Sequence, residues 1–335
     1  MKLLITGSTG FLGKHVVLAA LNAGHDVTGT LRDPARADEV RAAITPHLSD
    51  PASLSRLRFT PLDLTRDDGW DTALAGQDAL IHTASPFPIS EPRSADDLIV
   101  PARDGTRRAL TAAAEAGVSR VVLTSSCVAI WEQVPSGQTA TEADWSDPDA
   151  PGAAAYGRSK IIAERLAWDL AEQHSLALTT INPSVILGPP LDSHYGSSTG
   201  LVKRLMTGKD PMNIDVAMGC VDVRDVAAMH VIAAERPDTA GERFIADSGT
   251  RTFSEWAAIL KTAYPDRKIP QRVAPAWMVA ILALFDKDIR AVKPLLGRRY
   301  RASNAKATER LGISFIAPEE ALLSCAAWLV SQNEV

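Results

Sequence analysis

Cysteine is scarce in this chain. Its three cysteines, Cys127, Cys220 and Cys325, are widely spaced and odd in number. They form neither a disulfide framework nor a metal-ligand cluster, so no metal is expected and a reducing, cytoplasmic setting fits. Charge of one sign is also missing: 35 Lys and Arg stand against 40 Asp and Glu, and no basic run stands out. Nucleic acid is therefore not an expected partner. Long apolar runs are absent as well. The stretch 277–285 is too short to span a bilayer and reads as a buried helix or a lobe contact, so no membrane partner is expected. The first strand begins at once, so no leader segment is expected. Core material is nonetheless ample, with 46% hydrophobic and 22% charged residues over 335 positions.

The most informative stretch is the first. Lys2-Leu3-Leu4-Ile5-Thr6 is a short apolar strand, and Gly7-Ser8-Thr9-Gly10-Phe11-Leu12-Gly13 is a glycine turn that opens a helix. Strand, glycine turn and helix in that order form a dinucleotide entrance: the glycines let a pyrophosphate approach, and the helix N-terminus meets it. Further short apolar runs over 26–31, 57–60, 79–83 and 120–125 alternate with helical patterns over 11–23, 67–74 and 96–116. A long helix over 153–174 and a strand over 176–181 follow. This alternation predicts an α/β chain of Rossmann type, a doubly wound parallel sheet with right-handed crossovers.

After Asn182-Pro183, prolines and glycines interrupt the pattern. The chain then returns to the sheet with a helix over 223–235 and a strand over 243–246. Helices dominate from 252 onward, over 253–262, 275–285, 303–311 and 318–329. The expected division is a cofactor domain over 1–182 with a return segment near 216–248. Residues 183–215 and 249–335 then form a smaller, mostly helical C-terminal substrate lobe.

The end of the second strand selects the cofactor. A carboxylate there selects NAD; this chain has Arg32, whose guanidinium suits the 2′-phosphate of NADP. Arg36 can add a contact, and Asp33 is expected to point away or to pair with Arg36. Asp63 and Leu64 are placed beside the adenine. Thr83, Ala84 and Ser85 are small residues where the cofactor backbone must pass. His82, between apolar neighbours, reads as a core histidine.

Tyr156 and Lys160 stand at i and i+4, on one helix face. A nearby ammonium is expected to lower the phenol's pKa and fit it for proton exchange, while the lysine also holds ribose hydroxyls. Ser125 or Ser126, at the end of the fifth strand, is placed to donate to a carbonyl oxygen.

Taken together these motifs resemble the extended short-chain dehydrogenase/reductases. Within them the likeness is to the dihydroflavonol reductase and cinnamoyl-CoA reductase group, with its microbial aldehyde and ketone reductase relatives. The likeness rests on TGSTGFLG at 6–13, LRDPAR at 31–36, LDL at 62–64 and HTASPF at 82–87. It continues through LTSSC at 123–127, YGRSK at 156–160, INPSVILGP at 181–189 and VDVRDVA at 221–227. The resemblance implies Ser126 as the catalytic serine, Tyr156 as the acid/base and Lys160 as its partner. It implies Arg32 as the reader of the 2′-phosphate. Thr6, Gly7, Thr9, Gly10, Phe11, Leu12, Gly13, Pro183, Ser184 and Val185 complete the cofactor contacts. Pro86, Phe87, Trp131, Ile186 and Tyr195 are expected to face an apolar or aromatic carbonyl substrate.

Two departures concern the substrate. Plant cinnamoyl-CoA reductases carry an Asn-Trp-Tyr-Cys segment before the tyrosine, where this chain has Ala153-Ala154-Ala155. Dihydroflavonol reductases carry an asparagine where this chain has Trp131. The expected activity is reduction of an aldehyde or ketone by NADPH, in a monomer or homodimer. A nucleotide-sugar epimerase or dehydratase is the alternative enzyme, but Cys127-Val128 after Ser126 supplies no acid for elimination. A non-catalytic NADP sensor is the other alternative, and the intact tyrosine and lysine count against it.

Overall fold

The computed structural model describes residues 1–85, 94–135, 137–285, 289–290 and 293–335. Its first half is β1 (Lys2–Thr6), α1 (Phe11–Asn22), β2 (Asp26–Leu31), α2 (Ala37–Ile44), β3 (Leu57–Pro61), α3 (Trp70–Leu74), β4 (Ala79–His82) and α4 (Asp96–Glu115). Then come β5 (Arg120–Thr124), α5 (Val128–Trp131), α6 (Ala155–His174), β6 (Ala177–Pro183), β7 (Val185–Leu187) and α7 (Ser197–Thr207). The chain continues through β8 (Ala217–Asp222), α8 (Val223–Glu235), β9 (Glu242–Ala246), β10 (Gly249–Thr252) and α9 (Phe253–Ala263). It ends with α10 (Ala276–Leu282), α11 (Ala305–Leu311) and α12 (Pro318–Ser331).

Seven strands form one parallel sheet in the order β3-β2-β1-β4-β5-β6-β9. The order reverses between β1 and β4, which opens a crevice at the carboxyl ends of the strands. Alternation along β1 builds a core on each face: Leu3 and Ile5 join α1 and α8, and Leu4 joins α3, α4 and α6. The predicted doubly wound parallel sheet is thus the observed one.

The lobe differs from expectation. It holds a second sheet, β10-β8-β7, with β8 parallel to β7 and antiparallel to β10. Residues 217–222, read as the start of the return to the main sheet, are β8 of this second sheet. The chain rejoins the main sheet only through α8 and β9. Leaving β6 at Ser184, the backbone makes β7 the natural partner for β8. The lobe core gathers Phe253, Trp256, Leu260, Leu322, Cys325 and Leu329 from α9 and α12.

Other boundaries moved for local reasons. The helix read over 67–74 starts at Trp70, because Gly69 takes φ 91° as its N-cap. The helix read over 275–285 is the shorter α10, with Trp277 and Ile281 exposed. The short helices α2 and α5 had no expected counterpart, although Val40, Ala43 and Ile44 bury one stripe of α2.

Candidate active site

The glycine loop is shaped by contacts that no side chain would survive. Gly7 has φ 74°, and a Cβ there would stand 2.9 Å from Thr83 Oγ1 and 3.0 Å from the Ala84 backbone. A Cβ on Gly13 would stand 2.0 Å from the Gly7 carbonyl oxygen. Gly10 N–H donates to that same oxygen at 2.9 Å, which closes the turn as α1 begins. Thr6 lies behind the loop instead of lining the groove. It is fully buried, bonds His82 Nδ1 at 2.8 Å and accepts from Ala84 N–H at 3.2 Å. His82 is the core histidine expected, pushed down to about 3 by burial.

In front of the loop runs a groove of about 950 Å³. Gly7, Thr9, Gly10, Phe11, Leu12 and Gly13 form one bank. Arg32, Arg36, Asp63, Leu64, Thr83, Ala84 and Ser85 also line it. Its dimensions and its glycine floor fit an extended dinucleotide. Arg32 is exposed at the mouth, with no ion-pair partner among the described residues, so its fork is open to a phosphate. Asp33 does not pair with Arg36; it caps a short turn by accepting from Ala35 N–H at 3.0 Å. Arg36 is instead held by Glu39, with Nε and Nη2 donating at 2.8 and 2.6 Å. Asp63 accepts from Thr65 N–H at 2.9 Å at the groove's edge.

Glu39, Asp192 and His194 bring potential ligand atoms within 4.8 Å of one another. The Lys14 ammonium already serves this group, paired with Asp192 and 3.6 Å from Glu39.

The serine, tyrosine and lysine meet where β5 and β6 end and α6 begins. Ser125 N–H donates to the Ile181 carbonyl and Cys127 N–H to the Pro183 carbonyl, so the β5–β6 pairing carries through the serine pair. The structure separates the two serines. The Ser125 hydroxyl donates inward to buried Glu164, whereas the Ser126 hydroxyl faces the Tyr156 phenol. Gly157, next to the tyrosine, admits Glu132: a Cβ there would stand 2.9 Å from Glu132 Oε1.

Burial pushes the Tyr156 phenol up to about 12, and the Ser126 hydrogen bond pulls it back. The expected lowering by Lys160 is not found: desolvation dominates, and the shift is upward. The phenol is protonated at neutral pH, the form a proton donor needs. Burial pulls the Lys160 ammonium down to about 8, with Glu164 opposing that pull.

At the end of β6, Ser184 N–H donates to the Ala246 carbonyl at 3.0 Å, which ties β6 to β9. Val185 packs toward the lobe core and Ile186 toward the main sheet. Trp131 stacks on Tyr300, with centroids 5.4 Å apart and planes 11° from parallel. Tyr195, expected at the substrate, is held by contacts within the lobe. Its ring meets Trp328 edge-on, and its hydroxyl donates to Glu334 at 3.1 Å and accepts from Lys203 at 3.4 Å. Pro86 and Phe87 lie outside the described residues. Sequence reading missed Tyr300, which lies far along the chain from Trp131 and carries no motif. It also missed Glu39, three residues after Arg36, a helical ion-pair spacing that could have found it.

Residues 3–246 match the NAD dependent epimerase/dehydratase family. Among curated relatives, cinnamoyl-CoA reductase 1 of Arabidopsis thaliana is 31% identical over 325 residues, covering 95% of this chain and 86% of the relative. Tetraketide alpha-pyrone reductase 1 of Arabidopsis thaliana is 30% identical, covering 99% of this chain and 96% of the relative. Among solved structures, the yeast methylglyoxal/isovaleraldehyde reductase Gre2 complexed with NADPH superposes with a TM-score of 0.82 at 25% identity, covering all of both chains. Gre2 from Candida albicans in complex with NADPH gives 0.80 at 26% identity, covering 99% of each. No helix among the described residues is long and apolar enough to cross a membrane. The glycine groove, the serine–tyrosine pair and these likenesses agree: the chain belongs to the NAD dependent epimerase/dehydratase family, as an oxidoreductase of the extended short-chain dehydrogenase/reductase kind.

Proposed function

We propose that this protein reduces the carbonyl group of an apolar or aromatic aldehyde or ketone to an alcohol, with NADPH as its cofactor. The observation that carries the reading is the placement of Ser126 against Tyr156, one helical turn from Lys160, whose cavity shares Ala84 and Ser85 with the glycine groove. Residues 1–182, with the return through α8 and β9, hold the cofactor; the lobe holds the substrate. The glycine cradle fits the pyrophosphate, and the open fork of Arg32 fits the 2′-phosphate. Bound there, NADPH supplies the hydride that adds to the carbonyl carbon.

The chain's own groups manage the oxygen. Ser126 donates a hydrogen bond that orients the carbonyl. Tyr156, protonated at neutral pH, gives its proton to the oxygen as negative charge develops there. The phenolate left behind is stabilised by the Lys160 ammonium and regains a proton from solvent. Pro183, Ser184 and Val185 wall the nicotinamide. Trp131, backed by Tyr300 and five residues beyond Ser126, offers a flat apolar wall for the rest of the substrate. One chain supplies all of these groups, whether monomer or homodimer. Three free, buried cysteines support a reducing cytoplasm.

The test is loss of NADPH absorbance with a panel of aldehydes and ketones. Aromatic carbonyls should be reduced with one NADPH consumed per alcohol formed. No turnover across the whole panel overturns the reading.

A further inference from the structure

Tyr156, Lys160 and Glu164 follow one another at i, i+4 and i+8 along one face of α6. The first two serve the reaction proposed above; the third has no part in it. Yet the Glu164 side chain is fully buried, and the fold surrounds it with donors. Arg243 Nε, from β9, donates to Oε1 at 2.8 Å. Asn182 Nδ2, from β6, donates to Oε2 at 2.8 Å, and Thr180 donates to Oε1 at 3.2 Å. The Ser125 hydroxyl donates from the end of β5, and Trp168 Nε1 lies 3.5 Å away on α6 itself. Burying a carboxylate costs several kcal/mol unless every lone pair is met, so this is an expensive feature to keep for packing alone.

The surroundings link it to the site. Lys160 and Glu164 line one narrow cavity of about 10 Å³, together with His82, Thr106 and Ser125. Asn182 Nδ2 also reaches the Ser126 carbonyl at 3.3 Å. The titratable groups about Lys160, among the described residues, are Tyr156 and Glu164 on its own helix and His82 on β4. Thr106 from α4 and Ser125 from β5 are neutral. The countercharge of Glu164 is Arg243, which lies 3.7 Å over the Trp145 ring and donates to the Glu142 and Asp144 carbonyls. Arg243 is thus held by the Trp145 ring and two backbone carbonyls as well as by Glu164.

We propose that Glu164 is a positioning residue, a buried countercharge that holds Lys160 in its ammonium form, with Arg243 setting how much of that charge Lys160 feels. The inference rests on Lys160 serving the reductase reaction. Removing the Glu164 charge leaves the buried ammonium unsupported, so Lys160 loses its proton at lower pH. Removing Arg243 leaves the carboxylate to Lys160 alone and removes a like charge, so Lys160 keeps its proton to higher pH. A purely structural role does not reverse sign between the two.

The experiment measures two pH profiles, kcat/KM for a reduced carbonyl and the Kd for NADPH by fluorescence, in the wild type and three variants. The wild type should lose both above about pH 8, where Lys160 deprotonates. Glu164→Gln should move that limb down by about one pH unit. Glu164→Asp, which keeps the charge, should largely restore it, and Arg243→Gln should move it up. A folded Glu164→Gln whose limb stays in place overturns the proposal, as does a shift of the same sign in both neutral variants. If Glu164→Gln does not fold, the upward shift in Arg243→Gln decides alone. The Kd profile separates the two readings: shifted Kd limbs with no carbonyl turnover contradict the reductase assignment and leave this inference standing.

Discussion

The indole of Trp131 lies flat on the ring of Tyr300, with planes 11° from parallel and centroids 5.4 Å apart. One ring belongs to the short helix after the serine pair, the other to the C-terminal third of the chain. Arg298 Nη1 fixes the Tyr300 hydroxyl at 2.7 Å, and Thr250 donates to its carbonyl at 2.7 Å. Tyr300 therefore backs Trp131 as a rigid wall. Tyr300→Ala should raise KM for aromatic carbonyls roughly five- to tenfold, the worth of one aromatic pair. Small aliphatic aldehydes, which gain little from that wall, should be nearly unaffected. Steady-state kinetics on one substrate of each kind checks this; an equal loss on both removes Tyr300 from substrate selection.

Arg32 should separate the two nicotinamide cofactors. Arg36 is already engaged by Glu39, so Arg32 should carry most of the 2′-phosphate recognition. A lost charge-assisted hydrogen-bonding pair is worth about 1.5–3 kcal/mol, so Arg32→Ala should weaken NADPH binding by about tenfold or more. NADH binding should not change. Fluorescence titration with both cofactors is sufficient, and an equal loss for each excludes this role.

Gly13 tests the loop. A methyl group at this position cannot coexist with the Gly7 carbonyl 2.0 Å away, so Gly13→Ala must displace the turn. Overpacking of this kind costs about 1–3 kcal/mol, and NADPH affinity should fall by roughly tenfold or more. The far side of the sheet is untouched, so the far-ultraviolet circular dichroism should be retained. Unaltered affinity would contradict the cradle.

Three buried histidines give stability a pH dependence. Burial pushes His82 down to about 3, and His15 and His230 down to about 4, from 6.5. The unfolded chain takes up their protons below 6.5 while the folded chain resists, so stability is complete above that pH and falls as pH drops toward 4. At pH 5 each histidine costs about 2 kcal/mol. Asp225 and Asp247, pushed up to about 6 by burial, act in the opposite sense and offset part of this loss. Urea unfolding at pH 7 and pH 5 should show a net loss at the lower pH, and His230→Gln should reduce the difference.

The main sheet was legible because its strands are short apolar runs closed by glycine or polar turns, and the glycine loop because its function restricts residue type. The lobe was not. β10 is Gly249-Thr250-Arg251-Thr252, half-buried along its length, and its strand character comes from pairing with β8. Tyr156 and Lys160 were readable from spacing, but the direction of the tyrosine's pKa was not, because desolvation depends on what the fold brings around it. The resemblance chose Ser126 over Ser125, a choice the residues alone left open; the buried Glu164 that engages Ser125 was not legible. Glu164 itself was visible as a third member of the i, i+4 series, and it went unread because a glutamate on a long helix is usually solvated.

In the proposed reaction Tyr156 supplies the proton that the carbonyl oxygen receives. Tyr156→Phe keeps the ring and removes only the hydroxyl. Single-turnover NADPH oxidation in the presence of a reducible aldehyde, measured alongside NADPH Kd, tests it most directly. The chemical step should slow at least about a hundredfold, with Kd nearly unchanged. Turnover at the wild-type rate with NADPH still bound would contradict it.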